Sequence, residues 1–165
     1  MNAHADQIML QSLRNWLQRH VPHLGDPVAI RKFAAGQSNP SFLLECRHQS
    51  VVLRKKPDGD LLASAHAVDR EFRLIRALEQ TAVPVPKAIA LCEDNSVVGS
   101  MFYLMSYEPG DIFWDPALPD IPAERRANYY YSLVGTLAQL HSVDYKALGL
   151  SDFGKPGNYY ARQLS

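Results

Sequence analysis

At 165 residues and 18.5 kDa, the chain has room for one ordinary domain with a real core, or for one complete lobe and part of another, and excludes a repeat array or a multidomain enzyme. Its 47% hydrophobic and 21% charged residues match folded chains and exclude the composition that keeps chains disordered. With 17 basic residues against 17 acidic ones, no net field exists to hold a polyanion, so nucleic acid is excluded as the main partner.

Gln7 begins an apolar stripe at Leu10, Leu13, Trp16, Leu17 and Val21, the three-and-four spacing of one helix face. Pro22 and Gly25 end it, which predicts a docking helix over 7–21. Three β-rich stretches follow at 28–33, 41–46 and 50–54, joined by a polar turn over 34–40 and by Arg47-His48-Gln49. Such short joins favour an antiparallel meander. Apolar residues at Leu61, Ala65, Val68, Phe72, Ile75 and Leu78 then predict a helix over 61–78.

Val83-Pro84-Val85-Pro86 cannot lie in a central strand, because proline donates no ladder hydrogen bond, and reads as an extended entry to a strand at 88–92. Glu93-Asp94-Asn95 is a turn, and 97–107 is the fifth β-rich stretch, broken by Pro109-Gly110. After a proline- and aspartate-rich loop at 111–122, Tyr130, Leu133, Val134, Leu137 and Leu140 predict a helix over 123–141. The terminal residues 159–165 read as the start of another helix without a closing cap, so the chain is expected to be truncated. The fold class is therefore α+β: a five-stranded antiparallel sheet plus helix over 1–108, then a hinge and the first helices of an incomplete helical lobe over 109–165.

Cys46 and Cys92 have no CxxC spacing and no histidines at metal-ligand intervals, and are read as reduced, buried apolar residues. The first six residues lack a basic region followed by an apolar run, and no stretch approaches the roughly 20 apolar residues of a membrane span. A cytoplasmic protein without a membrane partner is expected.

Several residues could carry chemistry, and for each a plainer role stays open at this point. The turn holding Gly36, Gln37 and Ser38 could fold over phosphates, since glycine lets backbone N–H groups approach and serine adds a donor; it could equally be an ordinary hairpin turn. Arg54 ends a strand, either as a phosphate-neutralising cation or as a solvated strand end beside Lys55 and Lys56. Glu71 shares a helix side with Val68, Ile75 and Leu78, where it could orient Arg54 or lie on the surface near Arg70. Met105 could pack in the core or back a ligand pocket. Phe113, Trp114, Tyr129, Tyr130 and Tyr131 are read as packing aromatics. His23-Leu24-Gly25-Asp26 is a helix stop, His141 to Asp144 a helix end, and Asp58-Gly59-Asp60 an exposed turn with too few oxygen ligands for a hard cation.

The order of strand, glycine-containing turn, strand, strand with a basic residue and helix with a carboxylate is the layout of a protein-kinase-like nucleotide lobe. In detail, Phe33-x-x-Gly36-Gln37-Ser38-Asn39, Val52-Leu53-Arg54, Arg70-Glu71-Phe72, Val83-Pro84-Val85-Pro86, Phe102-Tyr103-Leu104-Met105, Leu137-Ala138-x-Leu140-His141 and Tyr160-Ala161-Arg162-Gln163 resemble the aminoglycoside phosphotransferase-like kinases. The likeness is greatest to the branch fused to, or accompanying, acyl-CoA dehydrogenases.

That resemblance implies ATP and Mg2+ as cofactors, with Gly36, Gln37 and Ser38 over the phosphates, Arg54 in place of the usual lysine and Glu71 as its partner. Met105 would back the adenine pocket, and the backbone of Ser106 and Glu108 would face the base edge. The implied acceptor is a small-molecule hydroxyl of hydroxyacyl type. The family's H-G-D-x-x-x-x-N segment and its later metal-binding aspartate do not occur in the sequence. No catalytic or metal-ligating residue is therefore assigned, and no turnover is expected from the chain alone. The competing expectation is a non-catalytic nucleotide-binding or partner-docking module, with self-association through an exposed helix at 123–141.

Overall fold

A computed structural model describes residues 3–34, 39–57, 67–154 and 157. The helix α1 (Ala3–His20) leads through a 3-10 turn (Pro22–Leu24) into strand β1 (Pro27–Lys32), followed by β2 (Ser41–Cys46) and β3 (Ser50–Lys55). Helix α2 (Val68–Leu78), strands β4 (Ala88–Cys92) and β5 (Phe102–Ser106), and helix α3 (Ala123–His141) complete the described elements. The strands form one five-stranded sheet in the order β1-β2-β3-β5-β4, with every neighbouring pair antiparallel.

Side chains alternate across the sheet, and the two faces are covered differently. On one face, Phe42, Leu44, Val51, Leu53, Phe102 and Leu104 pack with Leu13, Trp16 and Leu17 of α1 into the main core. Trp16 meets Phe102 edge-on, with ring centroids 5.0 Å apart. The turn after α1 depends on Gly25, whose φ of +73° puts it in the left-handed region. A Cβ there would lie 2.8 Å from Cδ2 of His48, so glycine is required on both counts. The opposite face carries α2, whose Val68 and Phe72 pack on Tyr103 in a smaller, separate cluster.

The register sets out that second face in rows. Ser41, Arg54, Tyr103 and Leu91 lie side by side, and the next row holds Leu43, Val52, Met105 and Ala88.

Three expectations require correction. The helix expected over 61–78 starts only at Val68, because Ala67, with ψ of 79°, is not helical. The strand expected over 97–107 starts only at Phe102, because Asp94 nucleates a turn. Its carboxylate accepts from the Ser96 N–H at 2.8 Å, and the Gly99 N–H donates to Asn95 O at 2.9 Å. Val97 and Val98 contact the core from that turn instead of from the ladder. The aromatic group was expected to pack, yet Phe113, Trp114, Tyr130 and Tyr131 are all exposed and α3 buries no residue. Among the described residues nothing covers that face of the helix. Phe113 and the half-buried Tyr129 meet edge-on at 5.2 Å.

Both cysteines are free; Cys92 is buried and Cys46 half-buried. Burial, then the charge of Asp26, push the Cys46 thiol up to about 11. Leu61, Ala65, Asp58-Gly59-Asp60 and the terminal stretch 159–165 lie outside the described residues. No described helix is long and apolar enough to cross a membrane.

Candidate functional site

Arg54 reaches its site because of strand parity: β3 sends Val51, Leu53 and Lys55 toward α1, so Val52 and Arg54 face the side covered by α2. Glu71 reaches the same site through helix geometry, one residue before Phe72, which anchors α2 on Tyr103 with ring centroids 5.8 Å apart. The Arg54 Nε–H donates to Glu71 Oε2 at 2.7 Å, and an Nη2–H points to Oε1 at 3.4 Å. The side chains keep 27% and 35% of their exposure, so the pair is open to a ligand while partly shielded from water.

Further groups close the network around this pair. Arg54 Nη1 donates to Ser41 Oγ at 3.0 Å and to Asn39 O at 3.3 Å. The Asn39 side-chain amide donates to Glu71 Oε1 at 2.7 Å, and the Tyr103 hydroxyl donates to Oε2 at 3.2 Å. Each carboxylate oxygen of Glu71 thus accepts from at least two groups, which defines its orientation. Burial alone would lower the affinity of Arg54 for its proton, but the hydrogen bond and charge of Glu71 outweigh it and raise the pKa. Burial, then the neighbouring Glu71 charge, hold the Tyr103 phenol above its ordinary range.

Beside the pair, on the same face, lies an open cavity of about 590 Å³. Val52 and Met105 are adjacent in the sheet register and both line it, together with Phe33, Pro86, Tyr107 and Ile112. Ser41 lines it too, while its hydroxyl bonds to Arg54, so cavity and ion pair are contiguous. Phe33 and Tyr107 stack with centroids 6.5 Å apart across its mouth. Ser106 and Glu108 line it as well, and the Ser106 hydroxyl donates to the Glu108 carboxylate. The Ser106 N–H is engaged by Lys87 O at 2.9 Å.

Five residues singled out from the sequence therefore lie in one contiguous place: Arg54, Glu71, Met105, Ser106 and Glu108. Gly36, Gln37 and Ser38 lie outside the described residues, between Ala34, which lines the cavity, and Asn39, which joins the ion pair. Sequence reasoning missed the parts of Asn39, Ser41 and Tyr103. The last could have been found from strand register, because antiparallel pairing of 50–54 with 102–106 sets Tyr103 opposite Arg54. Chemically, the site offers an apolar slot for a flat ring, a polar edge at 106–108 and a fixed cation one step along the strand.

Comparison with known proteins places this geometry in context. A model of the "Phosphotransferase enzyme family" matches residues 29–165. A crystal structure described as an aminoglycoside phosphotransferase of Ralstonia eutropha superposes with a TM-score of 0.78 at 42% identity, covering 93% of this chain and 44% of that one. Acyl-CoA dehydrogenase family member 10 of Mus musculus is 46% identical over 142 residues, which are 86% of this chain and 13% of the relative. Acyl-CoA dehydrogenase family member 11 of Homo sapiens is 42% identical over 159 residues, 94% of this chain and 20% of the relative. The chain thus spans a fifth or less of these two relatives and under half of the solved structure.

Proposed function

Because this chain belongs to the phosphotransferase enzyme family, we propose that it carries the nucleotide-binding part of an ATP-dependent phosphotransferase acting on a small-molecule hydroxyl. The observation that carries this reading is the contact of Arg54 with Glu71 on the sheet face that also floors the cavity. Val52 and Arg54, two residues apart on one face, are separated by about 7 Å along the strand. That step suits a base over Val52 and Met105 and phosphates beside Arg54.

The donor set fits the nucleotide. Phe33, Val52, Met105 and Ile112 give an apolar slot for an adenine, and the backbone at 106–108 would face its edge through groups other than the Ser106 N–H, which Lys87 O holds. Arg54, held by Glu71 and Asn39, presents a permanent charge to the phosphates without having to be ordered at the moment of binding. Gly36, Gln37 and Ser38 would cover the phosphates from the turn that ends at Asn39. Bound ATP would supply the γ-phosphoryl group.

The described residues do not fit a metal: among them no three His, Cys, Asp or Glu side chains converge. Mg2+ would then reach the site through the phosphates or through ligands elsewhere, and no step is assigned to it. We assign the nucleotide lobe to 1–108 and the start of a helical lobe to 109–165. The acceptor in our reading is of hydroxyacyl type, by likeness to the acyl-CoA dehydrogenase relatives. A second reading, nucleotide binding without transfer, is favoured for this chain alone by a sequence that lacks H-G-D-x-x-x-x-N.

Calorimetry with Mg-ATP tests the proposal. Measurable binding by the wild-type chain, weakened in Arg54→Ala and in Glu71→Ala with the sheet intact by circular dichroism, is expected. Equal binding by all three proteins would remove the site assignment, and turnover at an ordinary kinase rate would remove the expectation of inactivity.

A further inference from the structure

Helix α2 is attached on two sides, and only one of them is the sheet. Toward the sheet its Val68 and Phe72 pack on Tyr103, with Ile75, Ala88, Leu91, Met101 and Met105 around them, in a cluster separate from the main core, and Ala77 and Leu78 are buried near its end. That cluster is smaller than the main core, and local stability follows the contacts an element makes, so contacts on the outer side also bear on where α2 sits. On its outer side, Arg70 and Arg73, three residues apart and hence on one helix face, both hold the segment that follows α3.

Arg73 forms a two-pronged contact with Asp152, Nη2 to Oδ1 at 2.6 Å and Nη1 to Oδ2 at 2.9 Å, and also donates to Gly149 O at 2.6 Å. Arg70 donates to Phe153 O, and its guanidinium carbon stands 4.6 Å from the centre of the Phe153 ring. Paired prongs fix direction as well as distance. Glu71 lies between these two arginines in sequence, on the neighbouring side of the same turn.

We propose that Arg70 and Arg73 are positioning residues: by clamping residues 149–153 they hold α2, and with it Glu71, in the pose that meets Arg54. The region after α3 thereby sets the geometry of the ion pair through a contact that spans 79 residues, Arg73 to Asp152. The effect on nucleotide affinity rests on the function proposed above, whereas the effect on the ion pair does not. Because Arg73 and Asp152 are exposed, at 46% and 71%, salt screens the clamp.

The test uses the full chain and the variants Arg73→Ala, Asp152→Ala, their double variant and the charge swap Arg73→Asp with Asp152→Arg. Two readouts are taken: hydrogen exchange at the α2 amides with the NMR signal of the Arg54 Nε–H, and the Kd for Mg-ATP. Each single variant is expected to speed α2 exchange, shift the Arg54 Nε–H signal and weaken ATP binding by up to about fivefold, as for an exposed pair. The double variant should be no worse than Arg73→Ala, which already loses the contact to Gly149 O as well, the swap should restore part of the loss, and high salt should erase the differences. Unchanged exchange and an unchanged Arg54 signal in the single variants would overturn the proposal, as would strictly additive losses in the double variant. Absence of ATP binding by the wild type would instead sink the nucleotide reading, and the exchange and Arg54 signals would then decide the clamp by themselves.

Discussion

Arg54 and Glu71, 17 residues apart in the chain, meet with Nε 2.7 Å from Oε2. Their contact converts two unrelated local rules, strand parity in β3 and helix phase in α2, into a single site. Arg54 uses four N–H donors at once, two toward Glu71 and one each toward Ser41 Oγ and Asn39 O. A lysine would keep the charge but lose the planar fork. Arg54→Lys is therefore expected to bind Mg-ATP with an affinity between wild type and Arg54→Ala, the latter falling roughly tenfold or more for a lost charge-assisted contact. Titration calorimetry of the three proteins checks this; a lysine variant as weak as the alanine one would show that fork geometry, and not charge, carries the site.

Tyr103 ties stability to alkaline pH. Its phenol is held above the ordinary 10.0 by burial first and by the charge of Glu71 next. The folded state thus prefers the protonated phenol, so its contribution is fully present below pH 10.0 and is lost as pH rises above that value. Tyr103→Phe should cost about 1.5–3 kcal/mol at neutral pH, for one hydrogen bond to a charged acceptor, and should unfold less steeply in alkali than wild type. Glu71→Gln should lower the Tyr103 pKa without returning it to 10.0, because burial remains. Denaturant midpoints across pH and ultraviolet titration of the phenol read both effects.

How far these features were legible beforehand differs by element. Strands at 41–46 and 88–92 and the helix at 123–141 follow from pattern and punctuation, and the structure has the same bounds. The Arg54 and Glu71 pairing followed from element order together with a family resemblance. Asn39 and Ser41 were not legible as members of the network, because their roles depend on where β2 registers against β3. The turn read at 93–95 is present, but its extension to Gly99 was not legible, because a local Asp94 cap overrides the strand preference of Val97 and Val98. The clamp of Arg73 on Asp152 spans 79 residues, and no local pattern announces it.

The unequal treatment of apolar residues gives a stability contrast. Leu104 is fully buried in the sheet core, whereas Leu137 on α3 is 47% exposed. Truncating the first removes transfer energy and leaves a cavity, so Leu104→Ala should cost about 2–5 kcal/mol. Leu137→Ala should change stability by less than about 0.5 kcal/mol. Urea unfolding of both variants checks the pair; a comparable loss at Leu137 would mean that the α3 face is covered in solution.

Asp152 supplies a direct reading of the clamp. Hydrogen bonding to Arg73 comes first among the causes that hold its carboxyl at about 2, well under the ordinary 3.8, and the positive field of Arg70 adds to it. A carboxyl whose folded pKa is depressed contributes stability that is present above pH 3.8 and is lost as pH falls toward about 2. In Arg73→Ala the carboxyl should titrate nearer 3.8, with its backbone hydrogen bond first and the field of Arg70 next still holding it lower. Carbon NMR of the Asp152 carboxyl, followed from neutral pH into acid, reads the midpoint in both proteins. A wild-type midpoint already at the ordinary value would mean that Arg73 and Asp152 do not stay together in solution, and the acid sensitivity assigned to this pair would then have to vanish as well.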